Sequence, residues 1–388
     1  MLETRDHAAS FNAQQSRQHQ HESNDRARLS PAIAAPLDAF LRDARFDPND
    51  PAAPAGLLSA LIERGYDRPP ALPLPAQGDT LTRWRALAAV AGCDLGLVKL
   101  FEGHTDALAI LAELDGPVPP DGSRWGVWAA ETPDARVRAT TARAARTGEA
   151  TAQLQLSGTK AWCSGAHAVS HALVTAWLDD EPVLAAVAMN HASISIDTSK
   201  WQAVGMQATQ SADVSFDITP ATRVGAPHAY VQRAGFWHGG AGIAACWYGA
   251  AARIGQTLRD ACARRADPHA LAHLGATDVA LAAAAALLRE SAAWIDAHPR
   301  ADAINVALRA RLAVEAAASA VIEHATRALG AAPLCRDARF ARALADLPVF
   351  LRQSHAERDL AALGELLAAP ARGERTPASP STAAQWML

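Results

Sequence analysis

Apolar residues along this chain change their period twice. Leu37, Phe40 and Leu41, and after a proline-rich break Leu57, Leu58, Leu61 and Ile62, recur at three- and four-residue steps, which places side chains on one face of a helix. Pro69, Pro70, Pro73 and Pro75 stop that pattern, because proline lacks the N–H and its ring clashes with the preceding turn. A second helical block covers 79–114. Between about 124 and 225 the period falls to two: Leu154 and Leu156 alternate with Gln153 and Gln155, as a half-solvated antiparallel strand requires. Further strand-like runs cover 172–178, 183–189, 193–197 and 213–218, separated by turn chemistry such as Asp179-Asp180-Glu181-Pro182. From about 230 to 367 the helical period returns, with expected breaks at Asp267-Pro268, His298-Pro299 and Ala332-Pro333.

This order predicts an α+β multidomain chain. A tail over 1–29 precedes an N-terminal helical domain over 30–121, a middle antiparallel β domain over 122–226, a C-terminal helical bundle over 227–369 and a second tail over 370–388. The 388 residues, half of them hydrophobic, are enough for more than one core. A net charge of -4 provides no basic field for nucleic acid or an anionic membrane. The basic residues are nearly all arginine, lysine occurring only at Lys99, Lys160 and Lys200, which reads as coding bias in an alanine-rich chain. Cys93, Cys163, Cys246, Cys262 and Cys335 form no CxxC pair, so neither a metal site nor a disulfide framework is expected. The polar N-terminus lacks the apolar core of a signal peptide, and charged residues, His or Gly break each alanine run, so the expectation is a cytoplasmic protein without a membrane span.

Candidate chemistry concentrates in a few segments. Residues 156–166 read as strand, turn and strand, with Trp162 and Ser164 two apart and so on one face, a flat ring beside a hydroxyl. Taken alone, a core tryptophan beside a solvent-facing serine explains this as well. Gly235-Phe236-Trp237-His238-Gly239-Gly240-Ala241-Gly242 suits a ligand pocket or close helix packing, and with no preceding parallel strand it is not a dinucleotide fingerprint. Asp346 reads as a base or as an N-cap ahead of Pro348, and the charges over 352–359 read as a solvated helix face.

Leu156-Ser157-Gly158-Thr159-Lys160-Ala161-Trp162-Cys163-Ser164, the turn and strand over 201–216, Ala328-Leu329-Gly330 followed by Arg336-Asp337, and Phe101-Glu102-Gly103-His104 together resemble the acyl-CoA dehydrogenase family over roughly 81–367. The resemblance implies a helical, β and four-helix-bundle architecture, FAD between the last two parts, and a homodimer or homotetramer. It implies that Trp162 and Ser164 border the isoalloxazine, and that Trp128 and Thr132, in Val127-Trp128-Ala129-Ala130-Glu131-Thr132-Pro133, line the flavin edge. Arg264 or Arg265 would face the diphosphate of a neighbouring subunit's FAD, although the family's Phe-Gly step is absent and Asp134-Ala135-Arg136 replaces its Gly-rich turn. Trp237 and His238 would line the substrate pocket, and Asp346 would remove the α-proton of an acyl-CoA thioester whose hydride passes to FAD and then to an electron acceptor. Flavin-dependent monooxygenases of the same fold favour Ser in the Trp-x-Ser step, as at Ser164, and often place a histidine near the base position; the nearest downstream of Asp346 is His355. A binding or scaffold protein that kept the fold and lost catalysis is the third reading.

Overall fold

The period-two segment closes into a barrel. The computed structural model describes residues 35–141 and 153–369; the expected tails over 1–29 and 370–388 lie outside the described residues. The chain divides into two units, Met1–Ala44 and Arg45–Leu388. Within the first, residues 35–43 form helix α1.

The second unit begins with helices α2 (Ala53–Glu63), α3 (Thr80–Cys93) and α4 (Leu95–Glu113). Seven strands follow: β1 (Trp125–Trp128), β2 (Val137–Thr141), β3 (Gln153–Cys163), β4 (His171–Leu178), β5 (Glu181–Ala188), β6 (Ile194–Asp197) and β7 (Ala212–Val224), with a 3₁₀ turn at Gln207–Thr209 before β7. Pairing runs β4-β2-β3-β7-β5 and returns through β5 to β4, closing the ring, while β1 adds to β4 and β6 to β7. The sheet is mixed, not purely antiparallel as expected. β1 and β2 both pair parallel to β4 on one edge, β1 beside His171–Val174 and β2 beside Trp177 and Leu178. Between them the chain leaves the edge at 129–136.

Leu154 and Leu156 point into the barrel core with Val137, Val174, Val187 and Phe216, and the alternating glutamines point out. β3 runs on to Cys163, through the 156–166 segment that was expected to be strand, turn and strand. Gly158 sits at φ 115° in a register shift, and a Cβ there would lie 2.3 Å from the Arg136 carbonyl oxygen. On the outer face Ile110 and Leu111 of α4 pack against Trp125, Leu173 and Leu184. His104 fixes that contact: its Nδ1 accepts from the Trp125 N–H at 3.2 Å, which leaves Nε2–H to donate to Asp67 at 3.1 Å.

After the four-residue α5 (Ala229–Gln232) come three long helices, α6 (Gly235–Arg264), α7 (Pro268–Ala297) and α8 (Ile304–Leu329), then α9 (Ala331–Arg336), α10 (Ala338–Leu351) and α11 (Glu357–Ala368). α6, α7 and α8 pack on one another and α10 packs on α6, making the C-terminal bundle. Asp267 caps α7 by accepting from the His269 and Ala270 N–H groups, with Pro268 in the first turn, as its sequence predicts. α8 ends at Gly330, φ 65°, and not at Ala332-Pro333, because proline is accommodated in the first turn of α9. α7 has the length and mean hydropathy, 1.7, of a membrane-crossing segment; only 17% of that stretch is buried, and alanine supplies most of its apolar character.

Candidate functional site

One turn of spacing on α4 places Lys99, Glu102, Gly103 and Asp106 on a single face, which forms one wall of a cavity of about 760 Å³. That volume falls in the range of about 300–1,000 Å³ for ligand clefts. Val127 to Ala130, where the chain leaves the sheet edge, form a second wall; Phe236, Trp237, Gly239 and Gly240 of α6 form a third. Arg311 of α8 and Arg352, Gln353, His355 and Asp359 beyond α10 complete it. The cavity therefore draws on barrel and bundle alike.

Trp162 reaches this cavity by a local irregularity. The β3–β7 register shifts between Lys160 and Cys163, Trp162 adopts φ 60°, and its indole is left 64% exposed. A large side chain at positive φ is strained and an exposed tryptophan loses apolar burial, a combination that marks functional sites. Behind it, Lys160 is fully buried and donates to Glu131 at 2.6 Å and to Thr175 at 2.7 Å. Glu131 also accepts from Trp177 Nε1; burial pushes its carboxyl up, but these hydrogen bonds and the Lys160 charge hold it below the usual range.

Trp128 Nε1 donates to the Ser164 carbonyl at 3.1 Å. A hydroxyl chain then runs from Ser164 to Ser211 at 3.0 Å, to Thr209 at 2.9 Å and to the Met206 carbonyl at 2.7 Å. Because the last bond uses the Thr209 proton, each earlier hydroxyl must donate inward. Ser164 Oγ therefore presents only acceptor capacity to the cavity.

The charges are partly matched. Lys99 meets Glu102 at 3.0 Å, and Arg233 meets Glu113 at 2.9 Å. Burial raises the Glu102 carboxyl, with Lys99 opposing it. His355 Nδ1 lies 3.2 Å from Asp359 Oδ1, whose other oxygen accepts from the His355 N–H at 3.1 Å; an acceptor at Nδ1 leaves Nε2 available. Asp106 Oδ1, Arg233 Nε and Trp201 Nε1 belong to residues that line the cavity and are buried without a hydrogen-bond partner among the described residues. Buried polar groups normally have partners, so these leave capacity for polar contacts at the cavity. A planar heteroaromatic with ring carbonyls and N–H groups satisfies such a donor and acceptor set between tryptophan faces, so the residues fit a flavin.

Of the residues singled out in the sequence, Trp128, Trp162, Ser164 and Trp237 come together here. Thr132 lines an adjoining hollow of about 360 Å³ that shares Trp162, Trp201 and Ser211 with the cavity. His238 points away into the bundle: it is 2% exposed, neither ring nitrogen has a partner, and burial lowers its pKa so that the neutral ring is favoured. Arg264 and Arg265 are exposed at the end of α6 and line neither hollow. Asp346 lies inside α10, two residues before Pro348, and caps no helix. It is 2% exposed, absent from the lining, and accepts from the Met206 N–H at 2.5 Å with Arg342 Nε at 3.5 Å. The segment read as a solvated helix face instead supplies Arg352, His355 and Asp359 to the cavity. The 99/102/103/106 spacing was the available sign of the α4 wall; no sequence sign marked Arg311.

No protein-family profile and no curated protein matches the sequence. Solved structures do match in fold. FMN-bound TdsC from Paenibacillus sp. A11-2, a dibenzothiophene monooxygenase, aligns at 18% identity over 91% of this chain and 98% of its own, with a TM-score of 0.67. Methanesulfinate monooxygenase MsuC from Pseudomonas fluorescens aligns at 18% identity over 89% and 98%, TM-score 0.70. Glutaryl-CoA dehydrogenase from Mycobacterium smegmatis aligns at 17% identity over 87% and 94%, TM-score 0.72.

Proposed function

From a chain with the acyl-CoA dehydrogenase superfamily fold, which flavin monooxygenases share, we propose a flavin-dependent oxidoreductase of the monooxygenase type. The observation that carries this reading is the His355–Asp359 pair on the cavity wall while Asp346 is withdrawn from it. A reduced flavin bound here would supply electrons to dioxygen, and an oxidised one would accept hydride from carbon. Trp162 and Trp128 would flank the ring, Ser164 would accept from a ring N–H, and Trp201 would donate to a ring acceptor. His355, oriented by Asp359, holds or releases a proton at Nε2. The resemblance implies FAD, whereas the TdsC structure holds FMN; whichever the protein retains through gel filtration is the cofactor, and the same run measures the expected homo-oligomer.

A second reading, α,β-dehydrogenation of an acyl-CoA thioester, is favoured by Glu102, a part-buried cavity carboxyl whose pKa burial raises against the opposing Lys99 charge. Anaerobic mixing with a panel of acyl-CoAs separates the two. Bleaching of the flavin by substrate alone supports the dehydrogenase; no bleaching, with an oxygenated product once reduced flavin and dioxygen are supplied, supports the monooxygenase. A colourless protein that takes up neither FAD nor FMN would sink both and leave a binding protein.

A further inference from the structure

Arg311 is the cavity's unmatched charge. Its Nη1 donates to the Gly240 carbonyl at 3.0 Å and its Nη2 to the Gln353 carbonyl at 2.8 Å, and its guanidinium lies 4.9 Å from the centre of the Trp247 ring. These bonds join α6 to the segment that carries His355. Lys99, Arg233 and Arg352 each contact a carboxylate, of Glu102, Glu113 and Glu315 respectively; among the described residues Arg311 contacts none. Asp359, Glu315 and Glu102 act on it only at longer range. Two carbonyls could be bridged by a neutral amide without the cost of burying a cation, so the clamp alone does not account for a guanidinium here. Three of its five N–H donors remain, and it lines the same cavity as the apolar faces of Trp128, Trp162, Phe236 and Trp237.

We propose that the substrate is a small organic oxyanion, with an apolar body against these rings and a carboxylate or sulfur oxyacid group neutralised by Arg311. This rests on the cavity being the substrate site of the flavoenzyme proposed above, and names its substrate class. Arg311 thereby sets specificity.

The test uses the full chain and its tryptophan fluorescence, titrated at pH 7.5 with benzoate and with benzamide, its neutral counterpart. Benzoate is expected to bind about tenfold or more tightly than benzamide, a preference that falls with salt. In Arg311→Gln that preference drops to near unity, because benzoate loses far more affinity than benzamide; in Arg311→Lys, which keeps the charge, most of it survives. Equal binding of the two probes by the native chain overturns the proposal, as does an undiminished preference in Arg311→Gln. If Arg311→Gln does not fold, a lost preference in Arg311→Lys also overturns it. Loss of FMN retention with benzoate preference intact assigns the charge to the cofactor phosphate and overturns it too. The titrations need no flavin, so a colourless protein that still prefers benzoate would refute the flavoenzyme reading and leave oxyanion recognition standing.

Discussion

Replacing Glu131 by glutamine tests the ion pair that neutralises the buried Lys160, two residues before Trp162 on β3. The Lys160 side chain is fully buried and that of Glu131 is 41% exposed, with 2.6 Å between their charged atoms. Removing one partner of a buried ion pair costs about 3–5 kcal/mol, because the other charge is left uncompensated. Glu131 is partly solvated and a glutamine oxygen can still accept from Lys160, so about 2–3 kcal/mol is the expected loss for Glu131→Gln. The double variant Glu131→Gln with Lys160→Met should recover much of it, since no buried charge remains. The assay is urea unfolding by circular dichroism, with amide exchange along β3 to localise the effect, as a chain of this size need not unfold in two states. The pH dependence has a definite sign. Burial lowers the Lys160 pKa below its unfolded value of 10.5, with Glu131 opposing that shift. The unfolded chain therefore holds the extra proton between the two values, and stability rises with pH through that window. Without Glu131 the window extends downward, so the deficit of Glu131→Gln should shrink between pH 7 and 10. A variant within about 0.5 kcal/mol of the parent at pH 7, or a deficit that grows with pH, refutes the argument.

Periodicity made the order of helical, β and helical parts legible, because burying one face imposes a repeat of 3.6 or 2 on the sequence regardless of identity. It also found the Asp267-Pro268 start of α7, where the capping chemistry is local. What it missed depends on contacts distant in sequence. β3 passes through Gly158 because the neighbouring Arg136 carbonyl occupies the space a side chain would take, which no pattern within β3 records. Trp162 and Ser164 were expected on one strand face and do meet in the cavity, but by a register shift that turns the indole outward, with Ser164 already beyond the strand. Asp346 matched a motif spacing, yet the close approach of Gly205 to the Ala345 carbonyl, where a Cβ would lie 2.1 Å away, brings the Met206 N–H to that carboxylate. His355 was within view in the sequence. It stands nine residues beyond Asp346, and the chain brings it to the cavity while Asp346 is withdrawn.

Three further perturbations separate the site from its scaffold. Gly249→Ala would place a Cβ 2.1 Å from the Ala88 carbonyl oxygen where α3 crosses α6, and a loss of about 3 kcal/mol or more is expected in thermal melts; an unchanged melting temperature would contradict the close crossing. His355→Gln should lower turnover by about a hundredfold with flavin content unchanged, read by stopped-flow reoxidation, and native-like rates would remove His355 from proton handling. Asp346→Asn probes a carboxylate with no access to the cavity. Burial raises its pKa above 3.8, with the Met206 bond and Arg342 opposing. The native state thus holds the proton more tightly than the unfolded chain, and the stability this contributes is full at low pH and is lost as pH rises through the folded value. Asparagine is neutral at every pH and keeps an oxygen for the Met206 N–H, so the variant should escape that loss. At pH 7 it should be as stable as the parent or more so, in denaturant titrations, with catalysis intact. A fall of more than about 1 kcal/mol would mean that the ionised carboxylate is needed to hold the Met206 turn, and abolished turnover in a stable variant would return Asp346 to the reaction.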